Sequence, residues 1–303
     1  MHGQPSAPGR SAGVAIALGG GTARGMVHVG VLKALDDSGT HPTMLGGTSF
    51  GAVIAALYAL CGNAYELEHV VRTQDIGEVW RQGIDFGLHR GAVVHGKRLR
   101  DWLDRKFFFG AAFEDLRVPL AVATTDLTTG ELVIVDSGPL ADAVRASCAL
   151  PGLFAPVPWR DRWLIDGGFV EPVPFSTLAG GDGVRKLGVH AGVDVRSSRA
   201  VRAIRAFNAT PYGRAFLARG ERVTPRGPLG QIYRGLTISL GSYSRGLRVP
   251  DDATLLRVEP SISWWDFHKS PGAILAGERA MRELLGSGFL SEPASKPTAV
   301  ALP

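Results

Sequence analysis

Short apolar runs that end in glycines recur along the first part of the chain. Residues 14–18 and 43–45 are two such runs, and apolar residues return at helical spacing after each of them, over 27–35 and 50–60. A short apolar run before a glycine turn is typical of a buried strand, whereas a spacing of three and four residues indicates an amphipathic helix. Strand, turn and helix repeated in this order predict an α/β protein, a parallel sheet with helices on its faces.

The same pattern predicts the remaining elements. Helices are expected at 65–72, 99–107, 140–148 and 273–285, strands at 120–125, 132–135, 187–193 and 255–258, and a hairpin over 159–165 whose second strand ends at Asp166. One folded domain over residues 14–286 accommodates all of them. Residues 1–13 and 287–303 lack the pattern and are expected to be flexible tails.

Charge singles out one segment of that domain. The chain has 303 residues and a net charge of +5, but residues 196–248 carry eleven arginines against one acid, Glu221, which is +10 for this segment alone. A local basic field favours an anionic partner, and a solvated insert without a partner is the alternative. Interleaved aromatic residues are scarce there, so we expect phospholipid headgroups rather than nucleic acid. Helical spacing over 200–207 predicts a helical cap.

Cysteine content and hydropathy indicate the compartment. Cys61 and Cys148 are too few for a disulfide framework and lack the paired spacing of a metal site, so both are expected to be buried thiols in a reducing compartment. Residues 1–13 contain no apolar segment of the kind that a signal peptide requires. The uncharged stretch 44–62 is continuously apolar only over 52–61, which is too short to span a bilayer. We therefore expect a soluble, cytoplasmic protein.

The turn after the second predicted strand has the pattern G-x-S-x-G, with Ser49 between Gly47 and Gly51. Glycines on both sides let the backbone pack closely around a sharp turn from which the serine hydroxyl projects. The pattern alone occurs by chance in glycine-rich chains, but its position between a strand and an apolar helix is the context that a nucleophile requires. Ser49 is the candidate nucleophile, and a helix-capping serine is the alternative.

The turn after the first predicted strand contains Gly19, Gly20 and Gly21, followed by Arg24. A dinucleotide fingerprint would need glycine where Arg24 stands, and a Walker loop would need a Gly-Lys-Ser/Thr sequence that is absent. Backbone N–H groups that converge at a helix N-terminus beside a guanidinium can stabilise an oxyanion. These four residues are the candidate oxyanion hole, and a tight turn with Arg24 in a surface ion pair is the alternative.

A nucleophilic serine needs a base, and Asp166 is the best candidate. It ends an apolar strand and is followed by Gly167 and Gly168, which leave room around the carboxylate. A partly desolvated aspartate can accept the serine proton, whereas an exposed one is a poor base. His190 and His268 make a histidine-bearing triad formally possible, but neither lies in a glycine-rich loop, and His190 falls within an apolar strand.

These motifs, in this order, resemble the patatin-like phospholipase family, and in particular its bacterial members of the neuropathy-target-esterase type. The resemblance extends over residues 14–193, with further similarity near the carboxyl end. The segments that carry it are 19–25, 47–51, 125–131, 145–154, 166–168, 266–267 and 277–278. It implies a three-layer α/β/α sandwich around a mainly parallel sheet, with the arginine-rich segment as a cap.

The resemblance also implies a mechanism. Ser49 and Asp166 would act as a dyad through an acyl-enzyme, with the oxyanion held by the loop at 19–25. Family members hydrolyse acyl chains of phospholipids, lysophospholipids or neutral glycerolipids and generally need no metal, so no cofactor is expected. Glu171 stands where many members carry asparagine, which bears on the charge of the substrate.

The resulting hypothesis is a lipid acyl hydrolase that is cytoplasmic or peripheral on the inner membrane surface. A soluble carboxylesterase or thioesterase is the alternative among enzymes. A lipid-binding regulatory protein without turnover is the alternative of a different class, and the intact Ser49, Asp166 and glycine loop argue against it.

Overall fold

A computed structural model provides the architecture. The residues that it describes are 13–73, 86–89, 92–94, 96–151, 153–179, 183–192, 206–221, 230, 235, 238, 247–262, 266–291 and 299–301.

Strands and helices alternate along the amino-terminal half and give way to a strand-rich stretch in the middle of the chain. The described residues form eleven strands and seven α-helices. They are β1 (Val14–Leu18), α1 (Val27–Asp37), β2 (Pro42–Thr48), α2 (Phe50–Cys61), α3 (Ala64–Thr73), β3 (Phe86–His89), β4 (Ala92–Val94), α4 (Lys97–Leu103), β5 (Leu120–Asp126), β6 (Leu132–Val135), α5 (Leu140–Ser147), β7 (Val157–Trp159), β8 (Arg162–Asp166), β9 (Arg185–His190), α6 (Pro211–Glu221), β10 (Ala253–Arg257), α7 (Ser270–Gly286) and β11 (Ala299–Ala301).

A nine-stranded sheet forms the centre of the fold, in the order β11-β10-β9-β1-β2-β5-β8-β7, with β6 paired to β5 off this path. The pairs from β11 through to β5 are parallel. The pairs that β5 and β7 make with β8, and that β5 makes with β6, are antiparallel. Helices cover both sides of the sheet. The predicted α/β/α sandwich with a mainly parallel sheet is therefore confirmed.

Central strands are buried on both faces, which explains why they are apolar runs rather than alternating patterns. Every residue of β1 and of β5 is buried. Helices α1 and α7 cross in close contact on one side: a Cβ on Gly30 would overlap the backbone at Ile274, and a Cβ on Gly277 would overlap the backbone at Val27. Two glycines thus allow the last helix to pack against the first.

Most of the predicted elements are present, with shifted ends. β2 runs to Thr48 instead of ending at residue 45, because Gly46 and Gly47 still pair with β5. Cys148 is buried as predicted, but Cys61 is only half-buried because it is the last residue of α2. The structure also forms a strand, β11, within the segment predicted to be a loose tail, and it pairs in parallel with β10.

Much of the arginine-rich segment lies outside the described residues. Helix α6 is its main described element, and eight of its eleven arginines fall in the parts that are not described. The predicted helix at 200–207 lies there as well, except for its last two residues. Among the described residues, no helix has the length and apolar character to cross a membrane.

Candidate active site

Ser49 lies in the sharp turn between β2 and α2. Its backbone has φ 54° and ψ −126°, a conformation that residues with a side chain rarely adopt and that the surrounding structure must hold in place. Two glycines allow it: a Cβ on Gly51 would overlap the carbonyl of Leu18, and a Cβ on Gly47 would overlap the backbone of Ala52. The motif thus has glycine on each side of the serine because backbone passes close by at both positions.

A second serine fixes the nucleophile turn to its neighbours. The Ser49 N–H donates to Ser147 Oγ over 2.8 Å, and the Ser147 hydroxyl donates to the Ala123 carbonyl over 2.7 Å. Ser147 is fully buried at the end of α5, and Ala123 belongs to β5. This chain of hydrogen bonds holds the backbone from which the Ser49 hydroxyl projects.

Asp166 ends β8 and meets the side chain of Ser49. The Ser49 side chain interacts with the Asp166 carboxylate, which also accepts a hydrogen bond, 2.7 Å long, from the Gly168 N–H. Asp166 is only 2% exposed, and this burial raises its pKa to about 6, although the interactions with Ser49 and Gly168 act in the opposite direction. The carboxylate is still mostly ionised at neutral pH, and it is a stronger base than an exposed aspartate with a pKa of about 3.9.

The glycine-rich loop lies against the nucleophile. A Cβ on Gly20 would be 3.3 Å from the Cβ of Ser49 and 4.0 Å from its Oγ. Two of the loop amides already have acceptors within the protein: the Gly19 N–H donates to the Val189 carbonyl over 2.9 Å, and the Gly20 N–H donates to the Pro172 carbonyl over 3.1 Å. The loop therefore lies beside Ser49, and two of its three candidate amide donors are engaged within the protein.

The third loop amide and Arg24 are placed differently. No acceptor among the described residues binds the Gly21 N–H, and Thr22 follows it with a φ of 47° at the start of a short 3-10 helix. The Arg24 Nε donates to the Ile262 carbonyl over 3.0 Å, and Arg24 makes no ion pair within the described part of the chain. Gly21 is thus the loop amide that a ligand could use, while Arg24 links the loop to the segment after β10.

The two histidines of the triad alternative lie elsewhere. His268 is exposed before α7, and His190 is the half-buried last residue of β9. The groups that shift the pKa of Asp166 are Ser49 and Gly168, besides burial, and no histidine is among them. No cluster of three metal-binding side chains occurs among the described residues.

Three buried side chains beside the site were not predicted to be site residues. Ser147 and Cys148 fall in the linking segment 145–154, and His28 lies on α1. The Cys148 thiol interacts with the Ser49 side chain, and burial raises the pKa of Cys148 well above its usual value, so it remains protonated. The only sequence signal for such residues is a polar side chain on the buried face of a helix, which does not specify a partner.

Comparison with known proteins agrees with this geometry. A family profile described as Patatin-like phospholipase matches residues 16–179, more than half of the chain, and this range includes both Ser49 and Asp166. The chain belongs to the patatin-like phospholipase family. Its members include lipid hydrolases of the NTE type, so the family is one of lipid hydrolases.

Relatives of the NTE type match over about half of the chain. The uncharacterized NTE family protein Rv1063c of Mycobacterium tuberculosis is 35% identical over 167 residues, which cover 55% of this chain and 46% of the relative. Lysophospholipase NTE1 of Yarrowia lipolytica is 32% identical over 170 residues, 54% of this chain and 12% of the relative. The chain therefore aligns with less than half the length of these curated relatives. VipD from Legionella pneumophila is a similar solved structure, with a TM-score of 0.47 and 15% identity over 91% of this chain and 67% of that chain.

Glu171, whose charge is expected to bear on substrate preference, caps a turn. Its Oε1 accepts hydrogen bonds from the Ser176 N–H and hydroxyl, both 3.0 Å long, and its carbonyl accepts one from the Thr48 hydroxyl over 3.1 Å. Burial raises the pKa of the Glu171 carboxyl. Glu171 also borders a cavity of about 310 Å³ whose walls are mostly apolar and include Arg248. Its carboxylate thus caps the turn at Ser176, while its backbone carbonyl binds Thr48, the residue that precedes Ser49.

Proposed function

We propose that this patatin-like protein is a lipid acyl hydrolase in which Ser49 and Asp166 form a catalytic dyad. The observation that carries the proposal is that the side chain of Ser49, on its strained turn, reaches and interacts with the buried Asp166 carboxylate. Membership of a lipid-hydrolase family and similarity to lysophospholipases of the NTE type support the substrate class. Phospholipids, lysophospholipids and other acyl esters are the proposed substrates.

The proposed reaction has two displacements. The Ser49 Oγ attacks the ester carbonyl carbon while its proton passes to Asp166, and the carbonyl π electrons move to the oxygen. When the intermediate collapses, the bond to the leaving alcohol breaks and Asp166 returns the proton to it. A water molecule then attacks the acyl carbonyl carbon and gives a proton to Asp166. When this second intermediate collapses, the bond to Ser49 Oγ breaks and Asp166 returns the proton to that oxygen, which releases the fatty acid and restores the Ser49 hydroxyl. The raised pKa of Asp166 suits both directions of this transfer.

We assign the negative oxygen of the intermediate to the glycine-rich loop. Gly21 is the proposed amide donor in the conformation described, because the Gly19 and Gly20 amides have partners within the protein. Reorientation of those two peptides would be required for either to contribute. The Arg24 side chain, bound to Ile262, is proposed to hold the start of the following helix beside the oxygen and to add positive charge.

Hydrolysis assays test the proposal. Nitrophenyl esters of graded chain length, followed by a lysophospholipid panel, should be hydrolysed by the wild type. Ser49→Ala and Asp166→Asn should each lower the rate by several orders of magnitude, and the double variant should be no worse than Ser49→Ala. Retained turnover in Asp166→Asn together with a loss in His190→Gln or His268→Gln would instead indicate a histidine-bearing triad.

We further propose that the arginine-rich segment binds an anionic membrane surface. Within it, Tyr212 is 82% exposed and Phe207 is 43% exposed, and the Arg214 side chain is exposed as well. Exposed aromatic rings beside cations suit a lipid headgroup region, where each basic residue contributes about 1 kcal/mol.

Vesicle sedimentation at two salt concentrations tests this membrane proposal. Vesicles with anionic lipid should bind the protein, vesicles of zwitterionic lipid far less, and salt should weaken the binding. A variant with Arg214, Arg219, Arg222 and Arg226 changed to glutamine should lose vesicle binding and keep its activity on a small soluble ester. Vesicle binding that does not change with salt concentration, together with a lower melting temperature in the variant, would show that these arginines pair with acidic residues within the fold.

A further inference from the structure

His28 lies in the core, and the single N–H of its neutral ring donates a hydrogen bond to the glycine-rich loop. It is fully buried on α1, and its Nε2–H donates to the Gly19 carbonyl over 2.7 Å. A carbonyl only accepts, so the proton is on Nε2. Burial lowers the pKa of His28 to about 4, with a smaller lowering from nearby His190, and the ring is therefore neutral at pH 7. His28 is a fixed neutral donor, not an acid or base for the reaction.

The carbonyl that His28 binds belongs to a peptide group that is held on both sides. The Gly19 carbonyl and the Gly20 N–H are parts of one planar peptide, and its N–H donates to the Pro172 carbonyl over 3.1 Å. On the carbonyl side, Gly51 also approaches closely, since a Cβ there would be 2.5 Å from the Gly19 oxygen. The plane of this peptide is therefore set by two hydrogen bonds in opposite directions.

The next peptide along the chain carries the Gly21 N–H, the proposed oxyanion donor. Glycines have no side chain to restrict their dihedral angles, so three in a row would let this N–H point in many directions. Fixing the preceding peptide leaves only the two dihedral angles of Gly20 between that fixed plane and the Gly21 N–H, in a loop that lies against Ser49. The orientation of the Gly21 N–H thus depends on the hydrogen bond from His28.

If His28 only filled space in the core, its polar ring would lower the stability of the fold relative to an apolar side chain. The second ring nitrogen, Nδ1, is buried and has no hydrogen-bond partner among the described residues. A buried polar atom without a partner costs about 1–3 kcal/mol, and an apolar side chain of similar size would avoid this loss. The imidazole is therefore best explained by what its other nitrogen binds.

We infer that His28 is a positioning residue for the oxyanion loop, acting on the Gly19–Gly20 peptide and through it on the Gly21 N–H. The inference rests on the proposed hydrolase function. It assigns no contact between His28 and the substrate. It predicts that loss of the Nε2–H lowers kcat more than it changes KM, because the affected interaction forms in the transition state.

Three substitutions separate this role from packing. His28→Leu removes the donor and keeps an apolar core, His28→Asn places an N–H at the position of Nδ1, and His28→Gln places one at the position of Nε2. His28→Leu and His28→Asn should lower kcat on a short nitrophenyl ester by about 10- to 100-fold, because a small misplacement of catalytic groups has an effect of this size. Their KM should stay within about threefold of the wild-type value. Gln should recover most of the lost kcat because its amide reaches Gly19.

Tyr58→Phe is the matched control. Tyr58 is also fully buried and donates one hydrogen bond, 2.7 Å long, to Asp36 on the far part of α1, away from the loop. Its loss should lower the melting temperature by an amount similar to the His28 variants while kcat stays at the wild-type value. A fall in kcat that follows the melting temperature equally in all four variants would assign His28 to packing and overturn the inference.

The outcomes also separate this inference from the proposed function. If the wild type hydrolyses no ester, the proposed function fails. If the wild type is active and Leu and Asn leave kcat unchanged, or if Gln and Asn behave alike, the positioning role fails and the dyad stands. Should His28→Leu not fold, the Gln and Asn pair, compared as folded proteins at equal temperature, still decides between the outcomes.

Discussion

Two glycine turns follow neighbouring parallel strands, and they are held by different means. In the nucleophile turn after β2, the backbone packs so closely that Gly47 and Gly51 have no room for a Cβ, and Ser49 is held at a positive φ. In the loop after β1, Gly19 and Gly21 also lack room for a Cβ, which would be 2.9 Å from the Pro172 carbonyl oxygen and 2.8 Å from the Ala191 carbonyl oxygen. Gly20 between them has more room, since the nearest atom to its Cβ would be the Ser49 Cβ at 3.3 Å, and hydrogen bonds from the Gly19 and Gly20 N–H groups fix the peptides.

Under the proposed function, this difference matches what each turn would do. A nucleophile has to stay in a strained conformation, and close-packed backbone resists relaxation because it cannot move without disturbing two strands. An amide donor has to point in one direction, and hydrogen bonds are directional whereas packing contacts are not. We therefore expect substitutions at Gly47 and Gly51 to act through folding and a substitution at Gly20 to act through catalysis.

The largest expected effect is that of Gly51→Ala. Its Cβ would overlap the Leu18 carbonyl in the central strand, so one of the two backbones must move. We expect a loss of at least about 3 kcal/mol in the free energy of unfolding, or no folded protein. Gly20→Ala is the counterpart in the loop and should lower the free energy of unfolding by about 1 kcal/mol, since only the Ser49 side chain has to move to make room for the new Cβ. Chemical denaturation measures both, and equal losses would remove the distinction between the two turns.

Asp166→Asn should make the protein more stable while it abolishes activity. Burial raises the pKa of Asp166 from 3.8 to about 6, so the folded state binds the proton more tightly than the unfolded state does. The wild type therefore loses stability as pH rises from about 4 to 6, and at pH 7.5 the charged carboxylate costs about 2–3 kcal/mol, which Asn avoids.

Melting curves of wild type and Asp166→Asn across this pH range measure the effect. The advantage of the variant should disappear below pH 4, where the wild-type carboxyl is protonated in both states. A variant that melts below the wild type at pH 7.5 would show that the hydrogen bonds of the charged carboxylate outweigh its burial. The glycine-rich loop contains no buried charge of this kind, which is a further contrast between the regions.

How much of the fold and of the candidate site could be predicted from the sequence depends on how far apart in the chain the interacting residues lie. β1, β5 and β8 were predictable because each contains a short apolar run that leads into a turn: Gly19 follows β1, residues 126–130 follow the run of β5, and β8 ends at Asp166. The approach of Asp166 to Ser49 was predicted from motif order and family resemblance, not from local pattern.

The contacts that orient the backbone groups of the glycine-rich loop and of Ser49 were not predictable from the sequence. His28 and Ser147 are polar residues inside helical patterns, and nothing nearby in the chain indicates that they bind Gly19 and the Ser49 N–H. The strand β11 was missed for a related reason: its partner β10 is distant in sequence, and its neighbours are polar and proline-bearing. Such pairings are set by tertiary packing.

The pH dependence of the reaction should distinguish the two regions by their titrating groups. Because Asp166 must be ionised to accept a proton, kcat/KM on a small soluble ester should fall tenfold per pH unit below about 6. His28, with its pKa near 4, should add nothing above pH 5. An acid limb at a clearly higher pH that persists in the residual activity of Asp166→Asn would indicate a histidine base instead.

The most direct test of the central claim is covalent labelling with a fluorophosphonate probe, followed by peptide mapping. The probe forms a bond only with a serine that a nearby base has activated. Labelling of the wild type at Ser49, none in Ser49→Ala, and a much slower rate in Asp166→Asn are the results that the proposed dyad predicts. Labelling at another serine, or an equal rate in wild type and Asp166→Asn, would contradict it.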